Sequence, residues 1–233
     1  RLSVVIHSDE QLSEFEATPL ARKLDVFLKF NTGMNRLGFR IERARDVAAR
    51  AEQYEGTGEI TLMTHFACAD EPDGHLDALA RFNAATADLR YARSLANSAA
   101  CFDFGRVGAG GSAGTAQQDW VRPGIMLYGA TPFSHASRSA MSLQLKAAMT
   151  VTTEVIAIQS LQPGERVGYG AAYTAKRNER IAVIACGYAD GYPRQAPSGT
   201  PVLVDGQRAP IAGRVSMDKI TVDVTDVPLA RVG

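Results

Sequence analysis

LKFNTGMNRLGF, residues 28–39, decides how the first half of the chain reads. It begins on a β-prone run, Val26 to Phe30, and turns polar at Asn31-Thr32-Gly33. The same grammar recurs twice. Leu62 to Phe66 runs into Ala67-Cys68-Ala69-Asp70, and a strand-like run from Val121 to Tyr128 surrounds Arg122-Pro123-Gly124. In a parallel barrel the C-terminal strand ends form the active-site face, so Lys29, Arg36, His65 and Arg122 are expected at one mouth.

Working outward, strands alternate with helices. Val4 to His7 is a short apolar run; Ser8 is an expected N-cap with acids following it, and the helical pattern lasts through Phe15. Glu42 to Tyr54 and Asp77 to Ala92 have helical spacing and good helix formers. Strand–helix repetition predicts a parallel sheet, as in a (β/α)8 barrel. A whole barrel of that type needs about 250 residues, so the barrel predicted here is partial. From Ser142 the pattern changes to short β runs with turn signals, including Asp205-Gly206 between apolar segments. The predicted fold class is therefore α/β: a partial barrel over residues 1–135, then a mostly β domain over 141–233, with the boundary in the polar stretch 131–140. The chain opens directly on a strand without an initiator methionine and stops at Gly233 without a closing helix, so both ends are read as cut.

Composition narrows the function classes. The chain has 233 residues, 45% of them hydrophobic, and Lys plus Arg equals Asp plus Glu at 25 each. A neutral chain gives no electrostatic reason to expect nucleic acid or an anionic membrane, and no apolar run reaches the roughly 18 residues of a membrane span. Cys68, Cys101 and Cys186 are odd in number and widely spaced, which argues against a disulfide framework or a zinc site and fits a reducing cytoplasm. The glycine-rich stretch 105–114, GRVGAGGSAG, lacks the Gly-Lys-Ser/Thr of a phosphate loop and is read as a surface loop.

Further segments carry chemistry-bearing residues: LANSAA (95–100), VGYGAAY (167–173), IACGYADGYPR (184–194) and GRVSMD (213–218). Taken in order with THFACAD (64–70), RPGIMLYG (122–129) and the opening stretch, the set resembles alanine racemase almost end to end. No one segment would suffice; their register is what is specific. Asn31, where many relatives have aspartate, resembles the catabolic type. The resemblance implies a pyridoxal phosphate (PLP)-binding barrel followed by a β domain, interconverting L- and D-alanine with two bases in a head-to-tail homodimer.

Residue by residue, it implies that Arg122 meets the cofactor's ring nitrogen and keeps it unprotonated, because a guanidinium does not give up its proton. His65 would hydrogen-bond and orient Arg122. Ser98, with the N–H groups of Gly124 and Ile125, would hold the phosphate. Arg36 would lie near the cofactor's phenolic oxygen and the substrate carboxylate, held by a carbamylated Lys29. Tyr169 would be the catalytic base, entering the partner subunit's barrel; a free phenol is a poor base at neutral pH, so cationic neighbours are required. Met217, with Asp218, would contact the substrate carboxylate, and Tyr188 and Arg214 would line the access channel. The bland alternatives are a surface ion pair for Arg122, a solvated strand-end lysine for Lys29, a structural histidine for His65, and core side chains for Tyr169 and Met217. Glycines on both sides of Tyr169 and the Pro-Gly after Arg122 weigh against them.

One expected part is absent. The second base and cofactor-bearing lysine lies in a KADAYGHG-like segment, and none of Lys23, Lys29, Lys146, Lys176 and Lys219 has that context. This chain alone is therefore expected to be inactive. Competing readings are a PLP-binding, non-catalytic fragment or paralogue, a racemase for another small amino acid such as serine, and a decarboxylase of the same barrel-plus-β class. The last would use an acid, not Arg122, at the ring nitrogen.

Overall fold

The computed structural model describes residues 2–103 and 120–233. They divide into two compact units with the break between Met149 and Thr150. The glycine-rich stretch 105–114 lies outside the described residues.

The first unit repeats strand and helix: β1 (Ser3–Ile6), α1 (Asp9–Ala17), β2 (Leu24–Asn31), β3 (Phe39–Arg40), α2 (Ala44–Gln53), β4 (Thr57–Met63), α3 (Leu76–Ala85), β5 (Ala92–Ser94) and the short α4 (Ser98–Cys101). The sheet order is β1-β2-β4-β5, parallel throughout, and β3 adds a parallel pair beside the end of β2. Trp120 continues the arc through a parallel bridge to Ser94. This is the strand–helix repeat of a (β/α)8 barrel, present as part of the circuit.

Burial alternates along β2. Val26, Leu28 and Phe30 are buried while Phe27, Lys29 and Asn31 are half-buried, as expected when helices cover one face. Ile60 and Leu62 of β4 join them beneath Leu12 of α1, Val47, Ala48 and Ala51 of α2, and Leu79 and Phe82 of α3. Each large apolar side chain taken out of water there contributes about 1.5–3 kcal/mol. Ser8 caps α1, its Oγ accepting from the Gln11 N–H at 3.4 Å. Arg43 donates to both carboxylate oxygens of Asp9, at 2.6 and 2.9 Å, which ties α1 to α2.

Two elements differ from the sequence expectation. The helix expected to reach Ala92 stops at Ala85: Thr86 turns back to the Phe82 carbonyl through its Oγ1 at 2.8 Å, and residues 92–94 pair with β4 as a strand. The run from Val121 to Tyr128 is not a strand. Pro123 has no N–H to donate to a ladder, the Gly124 N–H is taken by Ser98, and Ile125–Tyr128 winds into a 3-10 turn. Residues 131–149 belong to the first unit, where Phe133 is buried against Phe102.

The second unit is antiparallel. Its strands are β6 (Val155–Leu161), β7 (Arg166–Val167), β8 (Tyr173–Thr174), β9 (Glu179–Ile184), β10 (Pro201–Val204), β11 (Gln207–Pro210) and β12 (Ile220–Asp223). They form a sheet of order β12-β9-β6 and two hairpins, β10–β11 and β7–β8. Asp205 and Gly206 both have positive φ at the β10–β11 turn, the tight hairpin geometry expected of Asp-Gly. Ile184, Ile211, Ile220, Val222 and Val224 fill the core. Among the described residues no helix is long and apolar enough to cross a membrane, and no cluster of His, Cys, Asp and Glu is arranged to hold a metal.

Candidate active site

In the first unit the chemistry-bearing residues gather where the parallel strands end. Lys29 lies near the end of β2 and Arg36 in the turn that follows; His65 comes just after β4, Ser98 just after β5, and Arg122 just past the Trp120 bridge. The turn after β2 is built by its own side chains. Asn31 Oδ1 accepts the N–H groups of Gly33 and Asn35, each at 3.0 Å, and its Nδ2 donates to Asn35 Oδ1 at 2.8 Å.

Arg122 is held by neutral acceptors. Its Nη1 donates to Ser94 Oγ at 2.6 Å, and its Nη2 to the Thr64 carbonyl at 2.7 Å and the Leu95 carbonyl at 3.4 Å. Thr64 is itself pinned, its Oγ1 donating to the Phe30 carbonyl at 2.9 Å and lying 2.8 Å from Thr32 Oγ1. No carboxylate pairs with this guanidinium among the described residues.

The charges at this mouth are of one sign. Burial pushes the Lys29 ammonium down from the usual lysine range, and the neighbouring Arg36 and Arg122 push it further. Burial, then Arg122, Arg36 and Lys29, hold the His65 imidazole below its ordinary value. His65 thus feels Arg122 through space. The expected hydrogen bond between them is not found among the described residues, where Ser94 and two carbonyls occupy the guanidinium instead. Beside this cluster Ser98 Oγ accepts the Gly124 N–H at 2.7 Å and approaches the Met126 N–H at 3.5 Å. A Cβ placed on Gly124 would sit 3.6 Å from that hydroxyl, an ordinary contact.

In the second unit Tyr169 sits between Gly168 and Gly170, whose φ values are 71° and 69°. That left-handed backbone favours glycine, and it turns the ring outward: Tyr169 is 74% exposed. Tyr169, Tyr188, Arg194, Arg214, Met217 and Asp218 line one cavity of about 1100 Å³. The Arg194 guanidinium lies 5.6 Å from the Tyr188 ring centroid. Arg214 packs on the Gly170 turn, within 3.3 Å of where a Cβ would stand. Sequence reasoning named five of these residues for the site but passed over Arg194, although the segment containing it was in view. It missed Ser94 and Thr64 as well.

Two family models cover nearly all of the chain: alanine racemase N-terminal domain over residues 1–132, and alanine racemase C-terminal domain over residues 148–233. The chain belongs to the alanine racemase family. It is 48% identical to the catabolic alanine racemase of Salmonella typhimurium over all 233 of its residues, which is 63% of that protein. The crystal structure of the biosynthetic alanine racemase from Pseudomonas aeruginosa superposes with a TM-score of 0.84 at 46% identity, covering 98% of this chain and 62% of that one. An alanine racemase from Bartonella henselae, solved with covalently bound pyridoxal phosphate, matches at TM-score 0.73 and 27% identity over 98% of this chain and 61% of its own. The chain thus spans somewhat under two thirds of the racemases it matches. Similarity to both a catabolic and a biosynthetic enzyme leaves the Asn31 resemblance as the only pointer to type.

Proposed function

We propose that this chain supplies the ring-nitrogen partner, the phosphate donors and one of the two proton-transfer bases of an alanine racemase that uses pyridoxal phosphate. The observation that carries the reading is the presence of two features, one in each unit: an arginine at the strand ends with no carboxylate partner among the described residues, and an outward tyrosine on a glycine-flanked turn beside a cavity. The donor set fits the cofactor. A guanidinium held by neutral acceptors keeps its charge and offers the ring nitrogen donors, not an acid. The Ser98 hydroxyl and the nearby Ile125 N–H suit a phosphate, to which the Gly124 N–H, bonded to Ser98 Oγ in this structure, would turn as a further donor, and Arg36 suits a phenolate or carboxylate oxygen.

When bound, pyridoxal phosphate would supply the electron sink that acidifies the α-C–H of alanine. The protein's part is positioning and proton transfer. Arg122 limits how strong that sink becomes. Tyr169 takes the α-proton of L-alanine at its phenolic oxygen, or returns it, from the face opposite the cofactor-bearing lysine. Met217 and Arg36 hold the substrate carboxylate, while Tyr188 and Arg214 restrict access. The Lys29 amine, made less basic by burial and then by Arg36 and Arg122, would add to carbon dioxide once deprotonated, lose a further proton and become a carbamate anion that pairs with Arg36. The residues fall into the units 1–149 and 150–233, and each site takes Tyr169 from the partner in a head-to-tail homodimer, in the cytoplasm.

None of the five lysines of this chain matches the cofactor-bearing segment, so the chain by itself should form no D-alanine; measured turnover by it would overturn that account. The dimer reading is tested by mixing two inactive variants, Tyr169→Phe and Arg122→Ala, in a full-length enzyme carrying this chain. Each mixed dimer regains one intact site, so random pairing should restore roughly a quarter of wild-type activity. No recovery in verified mixed dimers would show that Tyr169 serves its own subunit.

A further inference from the structure

Arg122 must present its guanidinium in one plane to serve a planar ring, yet the element bearing it is not a strand. It lies past a single-residue bridge and before Pro123, so the backbone alone fixes little beyond the Arg122 N–H to the Ala96 carbonyl at 2.9 Å. The side chain is fixed from elsewhere. Ser94, the last residue of β5, is fully buried, and its hydroxyl lies 2.6 Å from Arg122 Nη1. Fully buried Thr64 presents its carbonyl to Nη2 at 2.7 Å. Two acceptors on two terminal nitrogens define the plane of a guanidinium. Among the described residues Nε makes no hydrogen bond, which leaves it as the donor available to a ligand.

We infer that Ser94 is a positioning residue for the racemase reaction, its hydroxyl holding Arg122 in the orientation that meets the cofactor's ring nitrogen. This rests on the reading of Arg122 given above. Carbonyls are common to every strand end, whereas the Ser94 hydroxyl is a side-chain choice. It also differs from the arrangement expected from resemblance, in which His65 would orient the arginine. A buried hydrogen bond to a charged group is worth about 1.5–3 kcal/mol, so its loss should be felt as roughly a tenfold or larger change in how Arg122 is presented.

The test uses the holoenzyme of a full-length racemase carrying this chain, with variants Ser94→Ala, Ser94→Thr and Arg122→Lys. Two readouts are followed besides racemisation: the visible absorption of the bound cofactor as a function of pH, and pyruvate released per D-alanine formed. Ser94→Ala should make the absorption pH-dependent in the neutral range and raise the pyruvate ratio roughly tenfold, with Arg122→Lys doing more. Ser94→Thr, which keeps the hydroxyl, should restore both. If Ser94→Ala does not fold, Ser94→Cys keeps the volume while weakening the acceptor and should show the same signature. Unchanged spectrum and pyruvate ratio in the Ser94 variants, with both altered in Arg122→Lys, would reduce Ser94 to a packing residue. If Arg122→Lys alters neither, the ring-nitrogen role of Arg122 fails, and the inference with it.

Discussion

Arg122 has no acid beside it among the described residues, and burial works against its charge; its N–H groups are met by a serine hydroxyl and two main-chain carbonyls. Each satisfies an N–H without neutralising the guanidinium. The sequence shows Arg122, His65, Lys29 and Arg36 as candidates because ionisable residues stand out at the ends of apolar runs. It does not show Thr64 as a partner, because every residue has a carbonyl and only the fold aims this one. Ser94 is hidden for a similar reason: a serine closing a short strand has no distinctive spacing. At Asn31 the side chain both accepts from Gly33 and Asn35 and donates to Asn35 Oδ1. Asn31→Asp removes the donor and sets two oxygens face to face, so it should cost about 1 kcal/mol or more. Asn35 has a φ of 54°, a conformation that suits glycine. Asn31→Asp combined with Asn35→Gly should therefore be less destabilised than Asn31→Asp alone. Urea denaturation of the single and double variants measures this; a double variant no better than the single would show that the amide pair is not what shapes the turn.

At the scale of elements, periodicity finds helices and strands but not their ends. α1 and the β10–β11 hairpin stand where Ser8 and Asp205-Gly206 signal them. α3 ends early because residues 92–94 gain a ladder beside β4, a long-range reward invisible to local propensity. The β8–β9 region carries a device no motif marks. Glu179, at the start of β9, is buried, and burial would push its carboxyl up. The Lys176 N–H, the Tyr173 hydroxyl and the Arg177 N–H and charge outweigh that and bring it below the usual range. The Tyr173 hydroxyl is pushed up in turn by burial, its hydrogen bond to Glu179 at 2.8 Å and nearby Asp223. A carboxyl that is more acidic folded than unfolded binds fewer protons in the native state at mildly acid pH. Its contribution is fully present above about pH 4.5 and is lost as pH falls through the lowered native value. Glu179→Gln should flatten the acid limb of a stability–pH curve and lower stability at neutral pH. An unaltered acid limb in this variant would place the linkage elsewhere.

For the molecule as a whole, the described residues of the first unit form a parallel arc with an edge at β1 and another at Trp120. At the β1 edge Leu2 is 79% exposed and Val5 45% exposed, and at the other Trp120 is 55% exposed. Exposed strand edges with apolar side chains pair with other chains. The isolated chain should therefore self-associate at micromolar concentration, as sedimentation velocity will show. A monomer stable at all accessible concentrations would mean that the edges are protected. The barrel-plus-β plan was legible because strand–helix alternation and hairpin spacing are sequence periodicities. The cavity beside Tyr169 was legible only as a set of named residues, since its volume depends on how β-rich segments far apart in sequence pack.

Trp120 is the chain's only tryptophan, and it stands at that open edge with its ring edge-on to Phe27, centroids 5.6 Å apart. Indole emission reports how wet its surroundings are. The molecule therefore carries its own optical label at the sheet margin, two residues from Arg122. Whatever covers that margin should shift the emission to the blue, so the colour of the protein's intrinsic fluorescence becomes a direct gauge of whether the arc has been closed.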